Sequence, residues 1–325
     1  MLVLDRRSGA ITLGRFPDLL SFLKAGDVLV LNETRVIPAR MFAERADTGG
    51  RIELLFVRPG ADGAWWAMGK PGKALTPGRV LRVPGTSASL VVREATAGLY
   101  ALAYDGDWAH LMDEAGHVPL PPYIRRADLP ADRERYQTVF ARVPGAIAAP
   151  TAGLHFTPGL LAQASEVGVV TARVVLHVGP GTFKPVTVED PRAHVLDPEY
   201  YEIGVGAAAA LRVARAAGGR VIAVGTTVTR TLETGASLLS DEARVAGEVV
   251  AAGSGWADRL IVPPYEFRAV DGLVTNFHLP RTSLLFLVSA LAGREAVLAA
   301  YRRAIEERVR FYSYGDAMLV VQGDQ

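Results

Sequence analysis

Residues 206–230 read GAAAALRVARAAGGRVIAVGTTVTR. The alanine-rich half, from about Gly206 to Ala217, predicts a helix, and Gly218-Gly219 ends it. Arg220-Val221-Ile222-Ala223-Val224 then reads as a strand, which the chain leaves through Gly225-Thr226-Thr227-Val228-Thr229-Arg230. The same alternation occurs upstream. Thr157 offers an N-cap hydroxyl and Pro158 sits at the first helical position. That helix runs to about Glu166, Gly168 stops it, and Val169 to Val178 is a strand. Helix following strand from Ala148 onward predicts an α/β fold. The last long helix spans roughly Arg294 to Arg310, with Val297, Leu298, Tyr301, Ile305 and Val309 on one face.

Toward the N-terminus, Leu2-Val3-Leu4 and Ala10-Ile11-Thr12-Leu13 bracket a Ser8-Gly9 turn and predict a hairpin. Pro17 to Lys24 reads as a short helix ended by Gly26, and Val28-Leu29-Val30-Leu31 as a buried strand. From about Met41 to Gly106 the texture changes. Short runs such as Ile52–Val57, Val80–Val83 and Leu90–Val92 alternate with Gly and Pro turns, the pattern of a small antiparallel barrel or sandwich. The expected architecture is a discontinuous α/β domain interrupted by an antiparallel β-barrel insertion. Its segments are 1–40 (α/β), 41–120 (barrel) and 121–325 (α/β).

Composition narrows the function. Half of the 325 residues are hydrophobic and the net charge is +1, so a disordered polyelectrolyte is excluded. The absence of cysteine removes disulfides, thiolate metal sites and a cysteine nucleophile. Of the 35 basic residues only Lys24, Lys70, Lys73 and Lys184 are lysine. Arginine favours bidentate phosphate contacts, although genome composition explains the same bias. Charge precedes any apolar run at the N-terminus, and Leu284–Ala292 falls well short of the ~20 residues a membrane span needs. The chain therefore reads as a soluble, cytoplasmic protein.

Five segments crowd small, polar and titratable residues into turns. Asn32-Glu33-Thr34-Arg35 closes a strand, where α/β sheets bind ligands, or else is a capped turn held by an Arg–Glu pair. Ala148–Thr157 leads into a helix N-terminus, an anion site with His155 beside it as a titrating group or a structural hydrogen-bonder. Leu176–Phe183 holds a Gly179-Pro180-Gly181 turn. Val224–Arg230 suits a carboxylate or phosphate but lacks the P-loop spacing, and no dinucleotide fingerprint follows any strand. Thr275–Ser283 contains Asn276 and His278. His194, Asp197 and Glu199 have metal-ligand composition, but their spacing fits no regular helix face and Pro198 would break one, so no metal is expected. Arg125, Arg126, Arg133, Arg135 and Arg142 lie near Tyr123 and Tyr136, which suits phosphate contact and base stacking, or equally a solvated surface with Asp128, Asp132 and Glu134.

Eight stretches in order resemble the S-adenosylmethionine:tRNA ribosyltransferase-isomerases of queuosine biosynthesis. They are Asn32–Arg40 (NETRVIPAR), His117–Ile124 (HVPLPPYI), Arg135–Ala141 (RYQTVFA), Ala148–Thr157 (AAPTAGLHFT), Leu176–Val186 (LHVGPGTFKPV), Val221–Glu233 (VIAVGTTVTRTLE), Val270–Pro280 (VDGLVTNFHLP) and Phe311–Val320 (FYSYGDAMLV). The resemblance implies transfer and isomerisation of the ribosyl part of S-adenosylmethionine onto 7-aminomethyl-7-deazaguanine at the tRNA wobble position. Epoxyqueuosine forms, and adenine and methionine leave. S-adenosylmethionine is then a co-substrate, the tRNA anticodon stem-loop the partner, no metal or membrane is involved, and a monomer is expected.

Carried onto this chain, the resemblance makes His155 and His278 acid/base candidates and gives Glu199 a ribose hydroxyl to orient. Thr226, Thr227 and Arg230 are expected at the methionine carboxylate, with Thr151, Gly153, Gly179, Gly181 and Asn276 around the rest of the cofactor. Arg35, Tyr123, Arg125, Arg126 and Tyr136 are expected at the RNA. Two departures stand out. The family has a leader ending in an Arg-x-x-Ser-Arg-Leu pattern where this chain has only Met1, and the second His of its His-x-Met-His-x-Glu pattern is Asp197 here. The alternative expectation is therefore a non-catalytic RNA-binding relative that lost activity with its leader. An S-adenosylmethionine methyltransferase is a third, though it would expect a glycine-rich loop after the first strand.

Overall fold

The computed structural model describes residues 1–323 apart from Ala61, Pro122 and Lys184; the last two, in the stretches 117–124 and 176–186, lie outside the described residues. The chain forms two compact units. The first comprises Met1–Thr34, Thr138–Val143 and the chain from Pro150 onward; the second comprises Arg35–Gln137 and Pro144–Ala149. Residues 35–40 and 121–137, read from sequence as α/β, thus group with the barrel. A small core of Val36, Val118, Tyr136, Ala146 and Ala149 ties them there.

The first unit opens with β1 (Leu2–Asp5) and β2 (Ile11–Leu13), which pair antiparallel as the expected hairpin. The segment Phe16–Phe22 is a 3-10 helix rather than an α-helix, and β3 (Val28–Asn32) follows with every residue buried. A continuous apolar run of this kind suits a strand covered on both faces.

Strand β4 (Thr34–Val36) begins on the last residue of the first unit's opening segment and leads, in the second unit, into β5 (Arg40–Arg45), β6 (Arg51–Pro59), β7 (Trp65–Lys70), β8 (Val80–Arg82), β9 (Ser89–Thr96) and β10 (Leu99–Ala103). The last six close an antiparallel barrel in the order β10-β7-β6-β5-β8-β9. Alternate residues such as Ile52, Leu54 and Phe56 fill its interior, as the period-two pattern of residues 52–57 requires. Helices α1 (Trp108–Ala115) and α2 (Asp132–Arg135) and strand β11 (Val143–Ala146) follow.

The first unit then resumes with α3 (Pro158–Glu166), β12 (Val170–Leu176), β13 (Glu199–Ile203), α4 (Val205–Ala216), β14 (Val221–Val224) and α5 (Thr226–Ser237). It ends with α6 (Asp241–Val245), β15 (Gly253–Ala257), β16 (Gly272–Asn276), α7 (Ser283–Ala292), α8 (Arg294–Glu306) and β17 (Ala317–Val321). Its nine strands order as β15-β13-β12-β3-β14-β16-β17-β1-β2. Neighbours β12, β3, β14 and β16 run parallel, so Leu176, Asn32, Val224 and Asn276 end at one edge. Leu29, Leu31, Ile222, Val224 and Val274 face a core shared with α3 and residues 16–23.

Thr157 caps α3 by accepting the Leu160 N–H, as its sequence position implied. The last helix stops at Glu306, four residues early, and Arg308 adopts φ 56° beyond it. Its buried face is Val297, Ala300 and Ala304, while Ile305 is 65 % exposed. Small alanines let the helix sit close to its neighbours, rotating the seam away from the larger side chains that periodicity favoured.

Candidate active site

The ends of the four parallel strands gather most of the cofactor residues expected from sequence, as ligand sites in open α/β sheets do. Asn32 anchors this edge. Its Oδ1 accepts the N–H groups of Leu176 (3.0 Å) and Thr34 (3.1 Å), and its Nδ2 donates to the Leu176 carbonyl (2.9 Å) and Thr227 Oγ1 (3.4 Å). One buried amide therefore fixes β3, the end of β12 and the start of α5 together.

Helix α5 begins directly after β14. Gly225, at φ 99°, makes the turn, a conformation that a side chain would strain, and an added Cβ would lie 3.7 Å from that of Ala152. No side chain caps α5, so Thr226 and Thr227 sit where unsatisfied N–H groups and the helix dipole favour an anion. Both threonines are buried.

Thr151 and His155 open and close a short 3-10 helix against β16. Thr151 Oγ1 donates to Asn276 Oδ1 (2.9 Å), which turns the Asn276 amide nitrogen toward His155 Nε2 at 3.4 Å. Phe16 stacks on the His155 ring at 5.0 Å between centroids. Burial lowers the His155 pKa, leaving a neutral imidazole able to accept a proton. Gly153 has a packing reason to be glycine, because a Cβ would come within 2.7 Å of Phe140 Cζ and 2.8 Å of Thr138 Cγ2.

His278 is held differently. Its Nε2 lies 2.7 Å from Thr275 Oγ1, and its backbone N–H donates to the Tyr301 hydroxyl (2.8 Å). Successive strand residues point to opposite faces, so Thr275 and Asn276 direct the two histidines to opposite sides of the sheet. Burial drives His278 down to about 4. Near neutral pH it is uncharged.

Glu199, at the start of β13, is fully engaged. Oε1 accepts from the Gly179 N–H (2.8 Å) and Thr182 Oγ1 (3.1 Å), and Oε2 is ion-paired with Arg230. Arg230 also donates to the Ala257 carbonyl (2.8 Å), while among the described residues its buried Nε has no partner. A Cβ on Gly181 would meet Asp197 Oδ2 at 2.6 Å, so Asp197 packs on this turn. The sequence reading passed over His177, whose Nδ1 is 2.8 Å from Thr34 Oγ1. Its ring stacks on Tyr200, and burial lowers its pKa. Its position one residue past the end of β12 was the available signal.

The five expected RNA residues belong to the second unit. Arg35 pairs with Glu134 at 2.9 Å, Tyr123 and Arg125 are exposed, and Arg126 grips Asp132 through two hydrogen bonds. That guanidinium holds the Asp132 carboxyl down at about 2. Tyr136 corrects the sequence reading: it is 0 % exposed within the small core and offers no ring face to a base. Among the described residues, no group of three His, Asp or Glu side chains is placed to hold a metal, and no single helix is long and apolar enough to cross a membrane.

Residues 1–320 match the family described as queuosine biosynthesis protein. The chain is 48 % identical over 324 residues to the S-adenosylmethionine:tRNA ribosyltransferase-isomerase of Heliobacterium modesticaldum, covering 99 % of this chain and 92 % of the relative. It is 49 % identical over 325 residues to the protein of the same name from Moorella thermoacetica, with the same coverage. Among solved structures it resembles the S-adenosylmethionine tRNA ribosyltransferase of Thermotoga maritima. That likeness has a TM-score of 0.53 and 34 % identity over 98 % of this chain and 91 % of that one.

Proposed function

The chain belongs to the queuosine biosynthesis protein family, and from that premise we propose that it is an S-adenosylmethionine:tRNA ribosyltransferase-isomerase working at the carboxyl edge of its parallel strands. It moves the ribosyl unit of S-adenosylmethionine onto the 7-aminomethyl-7-deazaguanine base at the wobble position, rearranges it to the epoxycyclopentanediol of epoxyqueuosine, and releases adenine and methionine. The observation that carries this reading is convergence. Asn32, Thr151, His155, Thr227 and Asn276 come from four distant segments of sequence, yet at one strand edge side-chain hydrogen bonds join Asn32 to Thr227 and, separately, Thr151 to Asn276 and Asn276 to His155.

The chemistry divides among these groups. The methionine carboxylate is assigned to the N-terminus of α5, with its free N–H groups and the Thr226 and Thr227 hydroxyls. Arg230 acts on that end indirectly, because its guanidinium already positions Glu199. Glu199, held by Gly179 and Thr182, orients a ribose hydroxyl, and Gly181 keeps that turn close to Asp197. A base must remove a proton from the 5′ carbon beside the sulfonium; neutral His155, aimed by Asn276 and Thr151, takes it on Nε2 as the 3.4 Å contact from the Asn276 amide gives way to substrate. His278, neutral and bound to Thr275, serves better as a hydrogen-bond partner than as the acid for departing adenine. The proposal extends to the anticodon stem-loop as the bound part of the tRNA, with exposed Tyr123 and Arg125 as contacts, and to a cytoplasmic monomer.

The test is product analysis after incubation with S-adenosylmethionine and a stem-loop carrying the deazaguanine base. Free adenine and methionine, released only when that RNA is present, are expected. Tight RNA binding without adenine release would instead favour a binding protein.

A further inference from the structure

Three aromatic rings form a ladder across the outer strands of the first unit. His177, past the end of β12, stacks on Tyr200 with centroids 5.7 Å apart and planes 22° from parallel. Tyr200 meets Trp256 edge-on at 5.9 Å. Tyr200 and Trp256 are direct cross-strand partners on β13 and β15, so their side chains share one face of the sheet. The inner end of the ladder touches the strand edge through the Thr34–His177 contact. The outer end is open: Trp256 is 53 % exposed, on the outermost strand of the sheet, among Gly253, Ser254 and Gly255. Indole this exposed contributes little to the core, and the small residues around it leave its ring uncovered.

On the same face, Arg142 and Arg173 flank one buried carboxylate. Arg142 makes two hydrogen bonds to Glu33 (2.6 and 3.0 Å), Arg173 approaches it to 3.7 Å, and the two side chains remain 70 % and 49 % exposed. Glu202, opposite Val175, is the other charge there. These charges nearly balance, so ring stacking rather than net charge distinguishes the surface.

We infer that the Trp256–Tyr200–His177 ladder receives an unpaired nucleotide of the tRNA loop beside the reacting base, stacking it on Trp256. The inference rests on the ribosyltransferase reading above. An enzyme that modifies a base must draw it out of its stack, which strips neighbouring bases of their partners. Single-stranded RNA is commonly bound by stacking its bases on exposed aromatic rings of a sheet. A ladder that starts at the reacting edge and ends in an exposed indole lies where such a neighbour leaves the site.

The test compares wild type with Trp256→Leu and Trp256→Phe in steady-state adenine release, varying the stem-loop and S-adenosylmethionine in turn. Loss of one base stack should raise KM for RNA about ten-fold in Trp256→Leu. Its kcat and its KM for S-adenosylmethionine should stay near wild type, and Trp256→Phe should recover most of the loss. A stem-loop carrying 2-aminopurine next to the modified position should be quenched by wild type and less by Trp256→Leu. An unchanged RNA KM and unchanged quenching in a folded Trp256→Leu protein would overturn the inference while leaving the activity standing. A shift in oligomeric state without a change in RNA KM would assign the surface to a second copy of the chain and overturn it too. No adenine from wild type would overturn the underlying reading, and the inference with it.

Discussion

The Asn276 amide nitrogen lies 3.4 Å from His155 Nε2, while its carbonyl accepts from Thr151. A rigid strand end thus aims an imidazole that local sequence alone would leave on a short 3-10 turn. With Nε2 as acceptor the ring is neutral and its proton rests on Nδ1, the tautomer that the Asn276 donor selects.

His155→Ala should lower kcat by about two to four orders of magnitude, the range for losing a positioned proton acceptor. Asn276→Ala should lower it less, because the ring stays but loses its orientation. Circular dichroism should find both variants folded. Adenine release near wild-type rates from His155→Ala would remove it from the chemistry.

The pH dependence of kcat/KM should show an acid limb set by His155. Burial lowers its pKa, and only the neutral form accepts a proton, so activity persists above that pKa and falls as pH drops through it. The midpoint should lie below the ordinary histidine value of about 6.5. A midpoint above that value would contradict the assignment, as would survival of the limb in a slow His155→Ala enzyme.

His278 makes the fold acid-sensitive. Burial holds its folded pKa at about 4, below the ordinary histidine value of about 6.5, so the unfolded chain takes up a proton first as pH falls. The stabilisation is complete above about 6.5 and is lost toward 4, by about 3 kcal/mol in all. Thermal melting of His278→Asn should therefore lose less stability than wild type between those limits. Parallel losses in the two proteins would show that His278 does not report this burial.

Glu199 and Arg230 form a buried pair, 3 % and 7 % exposed. Removing one partner leaves a charge without its counterion, so Glu199→Gln or Arg230→Met should each cost about 3–5 kcal/mol. The double variant should cost clearly less than the sum, as expected for coupled neighbours. Denaturant titration of the four proteins closes the cycle, and strict additivity would mean that the pair is not coupled.

Much of this was legible in the sequence, for physical reasons. Val28–Leu31 and Val221–Val224 are continuous apolar runs because both faces of their strands are covered. Thr157-Pro158 announces α3 because its cap is local. What local pattern could not supply was the partner of each polar group. Arg230 looked free to hold a carboxylate until Glu199, 31 residues away, closed on it. Tyr136 sits in an arginine-rich stretch that reads as surface, and the core that buries it is built from residues distant in sequence, 36, 118, 146 and 149 among them. His177 became a site residue only through Thr34, 143 residues upstream.

The most direct measurement is the mass of the RNA. Wild type and His155→Ala would each be incubated with S-adenosylmethionine and the stem-loop bearing 7-aminomethyl-7-deazaguanine, and the RNA weighed by mass spectrometry. The account expects a gain of one rearranged ribosyl unit with wild type, equimolar with released adenine, and almost none with His155→Ala. A gain of a single methyl group, or no gain from wild-type protein that is folded and binds the RNA, would contradict it.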